Sequence, residues 1–92
     1  MTIIVKRILK DYDSWKKLVN DNEGLRQRYG SRGARIYRSA RNPNEVHIVF
    51  DWADVKPYQE YFNLPDVRTA LKASGVGPTE IIEVGETFTL AS

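Results

Sequence analysis

Residues 45–52, Glu-Val-His-Ile-Val-Phe-Asp-Trp, carry the two-residue periodicity of a β-strand and decide how the rest of the chain is read. Val46, Ile48, Phe50 and Trp52 fall on one side of such a strand, and His47, Val49 and Asp51 on the other. Immediately upstream, Asn42-Pro43-Asn44 is a turn: proline presets φ and the asparagines tolerate turn geometry. Before the turn, Gly33 to Ala40 alternates loosely and is expected to be a strand, so the two segments form an antiparallel hairpin.

Downstream of the hairpin, Asp54 offers an N-cap oxygen and Pro57 is tolerated in the first turn of a helix. Val55, Tyr58, Tyr61 and Phe62 supply its apolar face. Leu64-Pro65 breaks that helix, and a second piece follows with Val67, Ala70 and Leu71 turned inward. Ser74-Gly75-Val76-Gly77-Pro78 is expected to turn the chain into a last strand within Thr79–Leu90, with Gly85 as a bend. Upstream of the hairpin, Thr2–Leu9 is rich in β-branched residues and makes a first strand. Asp11 and Asp13 can cap the helix that follows. Trp15, Leu18, Val19, Asn22, Leu25 and Tyr29 recur on one helical face as far as Gly30.

The element order is therefore strand–helix–strand–strand–helix–strand. Right-handed crossovers convert it into a ferredoxin-like βαββαβ sandwich of the α+β class, a four-stranded antiparallel sheet with its helices on one face. Ninety-two residues suffice for one such domain, residues 1–92. The first strand is apolar on both faces, with Ile3, Val5 and Leu9 on one and Ile4 and Ile8 on the other. An antiparallel sheet with one solvated face alternates more cleanly than that, so the open face is expected to be covered by a second copy of the chain in a homodimer.

Composition narrows the function. With no cysteine there is neither a disulfide scaffold nor a thiolate ligand or nucleophile, and a single histidine makes a metal site improbable. No apolar run is long enough to span a membrane, and charges follow the first apolar residues too closely for a secretory leader; the absence of cysteine makes a reducing cytoplasm the default expectation. Charge is uneven: residues 1–41 hold eleven Lys and Arg against four Asp and Glu, and residues 42–92 hold three against eight. The basic half does not read as a nucleic-acid surface. RNA-recognition domains share this element order, but their aromatic-rich motif has only a weak echo here, Arg32-Gly33-Ala34-Arg35-Ile36-Tyr37, on the wrong strand and without the aromatics. Instead the basic second strand (Arg35, Arg38) and the acidic fourth (Glu80, Glu83, Glu86) are sheet edges expected to face each other across the dimer.

Several junctions carry a family resemblance. Asp11-Tyr12-Asp13-Ser14-Trp15, Arg41-Asn42-Pro43-Asn44-Glu45-Val46, Asp51-Trp52-Ala53-Asp54, Asn63-Leu64-Pro65-Asp66-Val67-Arg68 and Gly75-Val76-Gly77-Pro78-Thr79-Glu80 give a chain that resembles, end to end, the dimeric α/β-barrel superfamily. The likeness is to its antibiotic-biosynthesis-monooxygenase-like and small polyketide-cyclase-like members. It implies two sheets packed face to face, a pocket between each sheet and its helices, and cofactor-free oxidation or cyclisation of aromatic or polyketide-like compounds. Of the Asn/Trp/Tyr/Arg set used by such monooxygenases, only Trp52 has a counterpart. Where many relatives carry a helix histidine four positions before the proline, this chain has Tyr61, which argues against haem degradation.

Individual residues then suggest roles. His47 is the one side chain that titrates near neutrality unperturbed and is the candidate general base. Asp51 shares its strand face but, four residues on at strand rise, is roughly 13 Å away, too far for a dyad. Arg35 and Tyr37 share a face of the second strand and are candidate stabilisers of an anionic or enolate oxygen. Trp52, Tyr58, Tyr61 and Phe62 are candidate pocket walls for a flat aromatic substrate, although residues so spaced also make an ordinary core. The alternative function is a non-catalytic homodimer that binds a ligand or a protein.

Overall fold

A computed structural model describes all residues from Met1 to Ser92. Its elements are β1 (Thr2–Leu9), α1 (Tyr12–Asp21), α2 (Glu23–Arg28), β2 (Ser31–Arg38), β3 (Glu45–Trp52), α3 (Val55–Asn63), α4 (Pro65–Ala73) and β4 (Val76–Glu83). The strands form one antiparallel sheet in the order β2-β3-β1-β4, the ferredoxin-like arrangement expected from the element order. Ile3, Val5 and Leu9 of β1 and Val46, Ile48, Phe50 and Trp52 of β3 are buried under the helices. The central strands hold the core because both their neighbours and the helices cover them; β2 and β4, at the edges, are almost wholly exposed.

Local chemistry explains most boundaries. Asp11 caps α1 by accepting from the Ser14 amide at 3.1 Å and from the Ser14 hydroxyl. Asp54 accepts from the Val55 amide at the start of α3, and Pro65 occupies the first turn of α4. In the β2–β3 hairpin, Asn42 Oδ1 accepts from the Asn44 amide and the Asn42 carbonyl from the Glu45 amide, so the turn stands where the asparagines and proline put it.

Three expectations are corrected. The helix read through to Tyr29 is two, parted at Asn22 (φ −101°, ψ 10°). The Asn22 side chain donates to the Leu18 carbonyl at 2.9 Å, the same oxygen its own amide approaches at 3.2 Å, and this local competition ends the regular turn. β2 begins at Ser31, two residues early, because Gly30 (φ +100°) turns the chain straight into the sheet. An added Cβ at Gly30 would lie 3.1 Å from that of Ala53. β4 spans Val76–Glu83 and not the later stretch reaching Leu90. Gly75 (φ +81°) turns the chain, its carbonyl accepts from the Lys10 amide at 2.9 Å, and Val76 already pairs with Leu9. The register irregularity lies between Arg7 and Leu9 opposite this segment; Gly85 lies beyond the strand. No helix is long and apolar enough to cross a membrane.

Candidate functional site

Between the covered face of the sheet and the helices lies a cavity of about 600 Å³, within the range of small-molecule sites. Its floor is built by Arg7 of β1 and Ile48 and Phe50 of β3. Trp15, Leu18 and Val19 of α1 form one wall, Tyr61 and Phe62 of α3 a second, and Val67, Ala70 and Leu71 of α4 close the top. The rim towards β2 is polar, with Asn22, Glu23, Arg26, Gln27, Ser31 and Arg32. Two features open this space. The break at Asn22 parts α1 from α2, and β2 contributes small residues to the lining, Ser31, Gly33 and Ala34, with Ile36 beside them.

The aromatics of the walls pack against one another. Phe62 lies 4.8 Å from both Tyr58 and Tyr61, centroid to centroid, and 5.9 Å from Phe50. Behind them stands Trp52, fully buried, with Nε1 donating to the Tyr29 carbonyl at 2.8 Å and its ring 5.3 Å from Tyr58 in an edge arrangement. Two polar atoms here are buried without hydrogen-bond partners, Trp15 Nε1 and the Tyr58 hydroxyl.

Electrostatically the cavity is cationic. Arg7 is 6% exposed and is the one charged residue in the core. Desolvation holds its guanidinium below the ordinary arginine value, against a raising influence from Tyr58. Burial pushes the Tyr58 hydroxyl above the usual tyrosine value; Arg7 opposes that shift and Glu83 adds to it. Tyr61 is likewise raised by burial, with Arg26 pulling it back through its charge and a hydrogen bond. Arg26 itself is anchored by Nη1 donating to the Val19 carbonyl at 2.6 Å. Glu23, at the rim, is the lining's one carboxylate, and nowhere do three His, Cys, Asp or Glu side chains gather as metal ligands.

The sheet divides the residues singled out from the sequence. Tyr61 and Phe62 line the cavity; Trp52 and Tyr58 support it from behind. His47, Arg35 and Tyr37 lie together on the opposite face, where Tyr37 pairs with His47 and Arg35 with Val49 across the β2–β3 ladder. His47 does find a carboxylate there, but it is Glu45, two residues back on the same face, at 2.9 Å from Nε2. That hydrogen bond, with a lesser contribution from Lys6, holds the Glu45 carboxyl below its ordinary value. Arg38 and Glu83, expected at facing edges, are turned to the helix side. Arg38 stacks 4.0 Å over the Tyr12 ring and donates to the Pro43 carbonyl, while Glu83 accepts from Gln59.

Sequence reading passed over Arg7. Its signal was present: Ile3, Val5 and Leu9 mark the buried face of β1, and Arg7 occupies the remaining place on that face. A lone charge in an apolar stripe is a buried cation that needs a partner. Trp15 and Phe50 read from their spacing as core and Arg26 as surface, and nothing in that spacing marks a cavity.

Comparison with solved structures supports the fold. The chain aligns over its full length, and over 100% of the other chain, with a proposed antibiotic biosynthesis monooxygenase from Deinococcus radiodurans at 19% identity and a TM-score of 0.61. A proposed antibiotic biosynthesis monooxygenase from Bordetella bronchiseptica matches over 95% of this chain and 96% of its own, at 17% identity and a TM-score of 0.73. SnoaB, a cofactor-independent oxygenase from Streptomyces nogalater, matches over 94% and 93%, at 14% identity and a TM-score of 0.70. No protein-family model and no curated protein matches the sequence. The chain thus has the fold of the antibiotic-biosynthesis-monooxygenase-like proteins.

Proposed function

We propose that the protein is a small-molecule enzyme of the cofactor-independent oxygenase kind, acting in the cytoplasm on a flat aromatic or polyketide-like compound held in the cavity. The carrying observation is the cavity itself: about 600 Å³ walled by Trp15, Phe50, Tyr61 and Phe62. The similarity of fold to SnoaB agrees with it. In such chemistry the substrate supplies the electrons. An anthrone-type methylene loses a proton, the resulting carbanion reduces dioxygen, and the net change is CH2 plus O2 to C=O plus H2O. The protein's share is to exclude water, orient the ring and stabilise negative charge as it forms.

In this reading residues 1–92 act as one domain, and the open face of the sheet belongs to a homodimer. Ile4, Ile8 and Val49 lie on that face, and Ile82 beside them is 59% exposed. Phe88, 78% exposed, and Leu90 are further exposed apolar residues, in the segment after β4. His47, Arg35 and Tyr37 then serve the subunit contact and not the chemistry. Oxygen uptake with anthrone as substrate, measured against the uncatalysed rate, tests the enzyme. His47→Ala is expected to keep turnover within about twofold of the native protein while weakening the dimer. Loss of turnover with the dimer intact would return His47 to the role of base. A second reading, a non-catalytic ligand carrier, is favoured by one observation: no histidine lines the cavity. Ligand binding without oxygen uptake across anthrones and quinols would select it.

A further inference from the structure

The covered face of the sheet holds a cation with no anion. Arg7 forms no ion pair. Its side chain makes one hydrogen bond within the protein, from Nη1 to Thr79 Oγ1 at 3.3 Å, and its guanidinium carbon lies 5.4 Å from the centre of the Phe62 ring. Arginine carries five N–H donors in a planar fork that matches the two oxygens of a carboxylate, so most of its capacity is unused. Both Arg7 and Phe62 line the cavity.

A buried charge is ordinarily paired, because removing an ion from water is costly and a bond to a neutral hydroxyl compensates only part of that cost. Beyond that hydroxyl and the face of the Phe62 ring, no carboxylate in the fold neutralises it. Glu83, the acidic residue of β4 on this side of the sheet, is engaged by Gln59 at 3.1 Å, and Glu23 lies at the rim. Arg26 and Arg32 add further positive charge to the lining. The surroundings therefore favour an incoming anion at the inner end of the cavity and an aromatic body along Phe50, Phe62 and Tyr61.

We infer that the cavity selects aromatic oxyanions, with Arg7 as the buried anchor that receives the ionised oxygen of the ligand against Phe62. The inference rests on the cavity being the ligand site, and it adds the substrate class: a compound bearing a carboxylate or an acidic phenol in place of a neutral ring system. The lowered proton affinity of Arg7 follows from the same desolvation and is relieved when the anion binds.

The test compares 2-naphthoate with its neutral isostere 2-naphthamide near neutral pH. Binding is followed by tryptophan fluorescence and by the thermal shift each probe produces, in the native protein, Arg7→Met and Arg7→Lys. The native protein is expected to bind naphthoate about tenfold or more tightly than naphthamide. Arg7→Met is expected to abolish that preference while keeping naphthamide binding, and Arg7→Lys to retain a weaker preference. Equal affinity of the native protein for the two probes overturns the anchor while leaving the cavity as the ligand site. So does a preference that survives in Arg7→Met. Binding of neither probe overturns the cavity reading and the anchor together. Should Arg7→Met fail to fold, the native comparison and Arg7→Lys still decide: a preference reduced in Arg7→Lys supports the anchor, and one undiminished in that variant overturns it.

Discussion

Along β1 and β3, neighbouring residues of similar chemistry meet opposite surroundings. Ile3 and Val5 are fully buried, whereas Ile4 and Ile8 are only half-buried; Ile48 and Phe50 are core, whereas Val49 between them is not. The strands do not distinguish these residues. The helices do, by covering one face and leaving the other. Polar groups separate the faces in the same way. The covered face takes Arg7 into its core and leaves it unpaired, while the open face pairs its charges locally, Lys6 with Glu45 at 3.9 Å and Glu45 with His47. A face closed by its own chain can keep a charge in reserve for a ligand. An open face of this width, apolar at Ile4, Val49 and Ile82, is suited to a partner.

The largest effect should come from the centre of the covered face. Trp52→Ala removes the fully buried indole and its bond to Tyr29, and is expected to cost about 3–5 kcal/mol in urea unfolding. A loss under about 1 kcal/mol would mean that stability resides elsewhere than beneath the helices. On the open face the expected damage is to assembly. Val49→Lys puts a cation beside Arg35 in the proposed subunit contact, and about 3 kcal/mol for a buried unpaired charge weakens the dimer roughly a hundredfold. Sedimentation equilibrium reads this directly; an unchanged dimer constant moves the contact to another surface.

A smaller effect, of opposite sign, sharpens the comparison. The Tyr58 hydroxyl is buried with no partner, so Tyr58→Phe is expected to raise stability by up to about 1 kcal/mol. Its titration gives a second readout. Because the folded-state value is raised, the stability linked to the neutral phenol is present below the ordinary tyrosine pKa and is lost as pH climbs through the raised one. Melting curves from about pH 8 to about pH 11 should therefore fall less steeply in Tyr58→Phe than in the native protein. Parallel curves would show that another group controls the alkaline limb.

The smallest effect belongs to Glu45 on the open face. Its folded-state value is lowered by His47 first and Lys6 second, so its contribution is present above the ordinary carboxylate pKa and disappears as pH falls through the lowered one. Glu45→Gln should flatten the acid limb of the stability profile and leave the neutral region nearly unchanged, as expected for a solvent-screened pair. A native-like acid limb in that variant would remove the Glu45–His47 contact from the account.

Legible from the residues alone were the order of strands and helices along the chain, the β3 segment Glu45–Trp52, its Asn-Pro-Asn turn, the Asp54 cap and the break at Leu64-Pro65. These are local matters: periodicity, missing amides and capping oxygens act within a few residues. Boundaries set by contacts distant in sequence were not legible. β4 starts at Val76 because it pairs with Leu9, and β2 starts at Ser31 where it meets Trp52. The site was legible only in part. Tyr61 and Phe62 could be read as a wall because helical spacing turns them inward. That His47, Arg35 and Tyr37 would be separated from them by the sheet depends on which face the helices take. The docking of the helices settles it, and with it the burial of Arg7: whether a cation in an apolar stripe is solvated or sealed beneath helices depends on packing across the whole chain.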